Sequence, residues 1–208
     1  MQNRLFFNIQ TEANPQALPL MPEPTAPGNL KDPEKIRVAI EERRAEQIAT
    51  AALDPDYGRI ICLTYMLPEA DHTINAVVGS EEDILCKFWQ LANACSGRLA
   101  GWNILGFAIP YILRRTLAHR RQPPIQLNLS RYRTDPITDL MAILYNWEPR
   151  TKSLNQVAAL YGMSDLHADI TGPYIAGSTI DQVQDYGLAQ LYLTIQLFCR
   201  MNGIYFNL

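Results

Sequence analysis

An apolar run, Leu5-Phe6-Phe7, leads directly into Asn8-Ile9-Gln10-Thr11. Strand alternation places Asn8 and Gln10 on one face, two residues apart. Asp and Glu at that spacing would meet a divalent cation together. Their carboxamide near-isosteres keep the shape and the acceptor oxygens but carry no charge, and hard cations such as Mg²⁺ and Mn²⁺ require negative oxygen ligands. Other residues able to do chemistry lie further along. Trp102 and Phe107 have faces on which nucleobases could stack, or they fill the core beside a strand end. Arg114, Arg115, His119, Arg120 and Arg121 form a basic run that could hold phosphate, or simply a solvated helix end where cations favour the C-terminal dipole. Tyr186 stands four residues before Gln190 on a helical stretch.

The composition narrows the classes of function. At 208 residues, with 48% hydrophobic and 19% charged residues, the chain can bury one sizeable core. A net charge of −3 gives no electrostatic footprint for nucleic acid over the whole surface and leaves only a local basic patch. Cys62, Cys86, Cys95 and Cys199 are far apart, and so are His72, His119 and His167. That scatter argues against zinc and for buried reduced thiols. No apolar run is long enough to span a membrane, and the first residues lack a signal-peptide pattern, so the expected location is the cytoplasm.

The elements that must position these residues follow in order. Residues 4–10 read as a short strand. Prolines 15, 19, 22, 24 and 27 make the next stretch an extended or irregular arm. Asp32-Pro33 starts a charged, largely solvated helix that stops at Asp54-Pro55. Strands are expected over 59–67 and 73–79, and then a capping box, Ser80 to Asp83, opens an amphipathic helix. Residues 98–103 read as a strand, followed by a helix from about Phe107. Asp135-Pro136 predicts a helix over 137–147. Shorter and longer helices follow from Ser153 and from Thr179 to about Met201. Strands cluster early and helices late, with a helix between strands, which is an α/β order with one core. The expected organisation is a single domain, 1–208, with the proline arm and charged helix inserted at about 13–57.

Three stretches, "FFNIQTE", "GRLAGWNILGFAIPYILRR" and "YGLAQLYLTIQLF", fall in the order and spacing of the three exonuclease motifs of the DEDD superfamily. With them the chain resembles the bacterial proteins predicted as 3′–5′ exonucleases related to the proofreading domain of family-B DNA polymerases. The resemblance implies a ribonuclease-H-like fold, a mixed five-stranded sheet flanked by helices. It also implies two Mg²⁺ or Mn²⁺ ions on four carboxylates, clamping a scissile phosphate. Carried onto this chain, the ligand positions are Asn8, Gln10, Ala108 and Gln190, all neutral. Around them the family's scaffold persists in Trp102, Asn103, Phe107, Pro110, Arg114, Asp139 and Tyr186.

The expectation is therefore an inactive relative of a metal-dependent exonuclease that holds no metal. One coulombic contact between a carboxylate and a divalent ion is on the order of 10 kcal/mol gross at an effective dielectric of ~20, and four vanish together. Glu12 shares the strand face but lies a pleat beyond Gln10, and Asp185 points away from Tyr186, so neither rebuilds the site. Asp139 either lies near the cleft or caps its helix. Tyr186, which in the family orients the attacking water, becomes a cleft-wall residue without metals. Three functions follow: retained binding of single-stranded DNA or frayed 3′ ends, a partner-binding protein using residues 13–54, or a redesigned version of an active exonuclease.

Overall fold

The structure is a computed structural model that describes residues 3–67, 73–163 and 178–207. Two compact units are distinguished: residues 1–10 with 60–208, and residues 11–59. The larger unit is built on a five-stranded sheet in the order β3-β2-β1-β4-β5. The strands are β1 (Leu5–Ala13), β2 (Gly58–Met66), β3 (Ile74–Val78), β4 (Leu99–Gly101) and β5 (Ile137–Asp139). β3 runs antiparallel to β2, whereas β4 is parallel to β1 and β5 parallel to β4, so the sheet is mixed.

Alternation along β1 feeds two cores. Leu5, Phe7 and Ile9 join α2 (Glu81–Ala94) and α3 (Ile109–Ala118) in one buried cluster, with Phe88, Trp89, Ile109 and Tyr111. Phe6 belongs to a second cluster with α5 (Leu154–Leu160) and α6 (Ile180–Met201). Its ring meets Phe198 edge-on at 4.9 Å, a contact worth ~0.5–1.5 kcal/mol beyond the area buried. The parity that sends Phe6 to this side carries Asn8 and Gln10 with it.

The helix starts follow the capping chemistry. Asp32 caps α1 (Pro33–Thr50) by accepting from Glu34 N and Lys35 N. Ser153 with Gln156 and Thr179 with Gln182 form complete capping boxes for α5 and α6. At α2 only half of the expected box exists. Ser80 Oγ accepts from Asp83 N and also donates to the Asp83 carboxylate at 2.5 Å, so that carboxylate does not reach back to the Ser80 backbone.

Two expectations fail. The helix expected after Asp135-Pro136 is strand β5, because Ile137, Thr138 and Asp139 pair with Leu99, Ala100 and Gly101 and are fully buried. The helix there is α4 (Leu140–Leu144), and its cap is Asp139. Nor are all the thiols buried: Cys62 and Cys95 are, while Cys86 and Cys199 are exposed. Burial pushes the Cys62 thiol up to about 11. His72 and His167 lie outside the described residues.

In the smaller unit the arm is not extended throughout, since a 3₁₀ turn forms at Leu18–Leu20. Helix α1 buries no residue, which fits its charged sequence. Arg37 bridges Glu34 and Glu41 on its surface, and Arg59 holds Glu12 at 2.5 Å. No helix among the described residues is long and apolar enough to cross a membrane.

Candidate functional site

The four positions that the resemblance singles out come from three elements. Asn8 and Gln10 project from β1, Asn8 half-buried and Gln10 only 8% exposed. Helix α6 passes close above β1 and β2 at Gly187. A Cβ there would lie 2.8 Å from Thr64 Cγ2 and 3.6 Å from Gln10 Cγ, so only glycine admits this approach. Thr64 Oγ1 fixes the contact by donating to the Gly187 carbonyl at 3.2 Å. Three residues further along α6, Gln190 is buried, and its Nε2 donates to Asn155 Oδ1 on α5 at 2.6 Å. The structure thus gathers Gln10, Thr64, Gly187, Gln190 and Asn155 between the centre of the sheet and two helices.

Ala108 arrives differently. Residues Ile104–Ala108 form a π-helical turn before α3, and Ala108 is 4% exposed within the apolar cluster that contains Phe7 and Ile9. Tyr186 is half-buried, and burial raises its phenol above the ordinary value. Among the described residues no group of three His, Cys, Asp or Glu side chains is close enough to share a metal ion.

Asp139 caps α4. It is 2% exposed, and its Oδ1 accepts from Asn103 N, Met141 N and Ala142 N while Oδ2 accepts from Leu105 N at 2.8 Å. One carboxylate therefore starts both α4 and the π-helical turn. Burial pushes its pKa above the usual carboxylate value, against the four donors that pull it down. Asn103 makes the turn possible with a left-handed φ of 54°, and its Oδ1 sits where a Cβ on Gly106 would be, 2.3 Å away. Trp102 packs half-buried against the α6-side cluster, and Phe107 meets the Tyr111 ring at 5.4 Å. Both are half-buried. Arg114 is exposed on α3.

The basic run is solvated at Arg114, Arg120 and Arg121 but not at Arg115. Arg115 is buried and binds Glu81 at 2.7 Å, and His119 contacts the same carboxylate at 2.8 Å. Glu81 also accepts from Ile60 N. Burial pushes the Glu81 pKa up, but Arg115, His119 and the Ile60 N–H together outweigh it and hold it below the ordinary value. Arg121 pairs with Glu82. Arg115, His119 and Arg121 tie α3 to the start of α2, each against a carboxylate. A second buried cation, Arg4, binds Asp135 at 2.9 Å, Thr138 Oγ1 at 2.5 Å and the Pro136 carbonyl at 3.2 Å. Neither arrangement was visible in the sequence, because each joins residues more than thirty positions apart.

A mixed sheet in this order, crossed by α6 near the end of β1, is a ribonuclease-H-like exonuclease fold. The profile of the family described as predicted 3′–5′ exonuclease related to the exonuclease domain of PolB matches residues 58–208, and the chain belongs to that family. The first strand, with Asn8 and Gln10, precedes the matched segment. Among solved structures, the family B DNA polymerase from the hyperthermophilic archaeon Pyrobaculum calidifontis is similar over 97% of this chain, with a TM-score of 0.64 and 15% identity. The similar region covers 24% of that polymerase, so the chain spans about a quarter of its length. No match was found among curated protein sequences.

Proposed function

We propose that this chain is a catalytically inactive member of its exonuclease family whose former cleft holds single-stranded or frayed nucleic acid without a metal. The observation that carries this reading is the donor set at the four positions: two carboxamides on β1, a methyl at 108 and an amide at 190 already bonded to Asn155. That set does not fit a pair of divalent cations. Amide oxygens are neutral, the alanine offers no donor, and Gln190 would have to give up its partner. Neutrality has a second consequence, because four fewer negative charges leave the cleft less repulsive to phosphate. Half-buried Trp102 and Phe107 could each add base stacking of about 1–3 kcal/mol.

The test is a fluorescence-anisotropy titration with a labelled single-stranded oligonucleotide in chelator, repeated across salt concentrations. Binding is expected, with log K falling linearly against log [salt]. The variant N8D/Q10E, which returns two negative charges, should bind several-fold more weakly in chelator. A wild-type protein that shows no salt-dependent binding contradicts the proposal.

A second reading is favoured by one observation. Residues 11–59 form a separate compact unit, nearly all of it outside the family match, with a helix that buries nothing. Such a unit suits a protein partner. Deleting residues 13–54 should then abolish a cross-linked partner that the full chain captures, and an unchanged set of partners would remove this reading.

A further inference from the structure

Beside Asp139, the loop before β5 and the turn after α4 enclose a cavity of about 320 Å³. Its lining includes Asn103, Gly106, Arg131, Tyr132, Trp147 and Glu148. The two aromatic rings lie 5.3 Å apart, and the Tyr132 side is widely open, 73% exposed. Three non-glycine residues here hold left-handed backbone: Tyr132 (φ 64°), Asn146 (φ 49°) and Trp147 (φ 60°). Bulky residues adopt that region at a cost, and such strain concentrates at binding sites.

The polar groups define what the cavity offers. Trp147 Nε1–H is buried with no hydrogen-bond partner among the described residues, so this edge is closed off and the residue offers the cavity ring surface. Asp139 also lines the cavity, but both its oxygens are taken by backbone N–H groups. Arg131 lines the cavity, and both it and Arg133 are exposed. Glu148 on the lining repels anions from the interior. An occupant that suits this lining puts a flat ring against the aromatic pair and its negative charge outside, toward Arg131.

We infer that this cavity is a nucleotide subsite. The base lies against Tyr132 and Trp147, and the phosphate lies over Arg131, with Arg133 two residues further along the same exposed loop. The inference rests on the proposed strand binding and deepens it, by placing one base outside the four neutral positions. The same chemistry would suit a free mononucleotide, so the experiment carries both ligands.

Anisotropy with a labelled single-stranded oligonucleotide and a fluorescence titration with dAMP, both in chelator, compare the full-length wild type with Y132A, W147F and R131A/R133A. Circular dichroism confirms that each variant is folded. Tyr132, Arg131 and Arg133 are exposed, so their variants keep the test alive if W147F is unstable. Y132A should weaken oligonucleotide binding on the order of 10-fold, and R131A/R133A should reduce the salt slope by about 1–2. Binding of the oligonucleotide that none of these variants alters overturns the subsite while leaving the strand reading intact. If dAMP alone binds, sensitive to Y132A, the subsite stands and the strand reading falls. If neither ligand binds the wild type, both fall.

Discussion

Restoring the four acids in one protein, by Asn8→Asp, Gln10→Glu, Ala108→Asp and Gln190→Asp, is expected to create a Mn²⁺-dependent 3′–5′ exonuclease from a chain proposed to be inactive. Two-metal sites supply several kcal/mol of transition-state charge stabilisation, so the rate should exceed the unmodified protein's background by at least about 10³-fold. The same changes should lower stability when metal is absent. Gln10 and Gln190 are nearly buried and Ala108 sits in an apolar cluster, so three of the new carboxylates would be poorly solvated. The Gln190 link to Asn155 would also be lost. Thermal melts should therefore show a lower midpoint in chelator and a recovery with Mn²⁺, since ligand binding to the native state shifts unfolding by mass action. A restored protein that folds and binds Mn²⁺ yet cuts nothing would show that these are not the positions that matter.

The second large effect is structural. Asp139→Ala should destabilise the protein by about 4 kcal/mol in chemical denaturation, because four buried backbone N–H donors lose their acceptor at once. Asp139→Asn is the informative companion. Its carbonyl oxygen can take the place of Oδ1, which serves Asn103, Met141 and Ala142, but its NH₂ then faces the N–H of Leu105. The loss should be about half as large. The pH dependence has a definite sign. The Asp139 pKa is raised by burial, so between the unfolded carboxylate value and the raised native one the folded state binds more protons. Its contribution to stability therefore falls as pH rises through that window, and the Asn variant should lack this slope. A full-strength D139A protein would overturn the double-cap account.

How much of this was legible depends on the range of each signal. Helix starts were readable because the chemistry is local: Asp32-Pro33, Ser153 with Gln156 and Thr179 with Gln182 each join residues at most three positions apart. The same signal misled at Asp135-Pro136, where the pattern of a helix start precedes a strand. Pairing of Ile137–Asp139 with β4 overrides local propensity there, and no nearby residue announces it. The neutral residues at 8, 10, 108 and 190 were read directly, yet their neighbours were not. Asn155 meets Gln190 across 35 positions and Thr64 meets Gly187 across 123. Arg115 looked like one cation of a phosphate-binding run, and only the fold turns it inward to Glu81. The cavity beside Trp147 had no sequence signal beyond an Arg-Tyr-Arg triplet at 131–133.

The central claim is one of charge at four positions, and direct titration of the unmodified protein with Mn²⁺ tests it best. Followed by the electron paramagnetic resonance of the free ion, the protein should leave essentially all Mn²⁺ in solution up to about 1 mM, because neutral donors do not hold it. Two equivalents bound tightly, and released by Asn8→Ala or Gln10→Ala, would contradict the account.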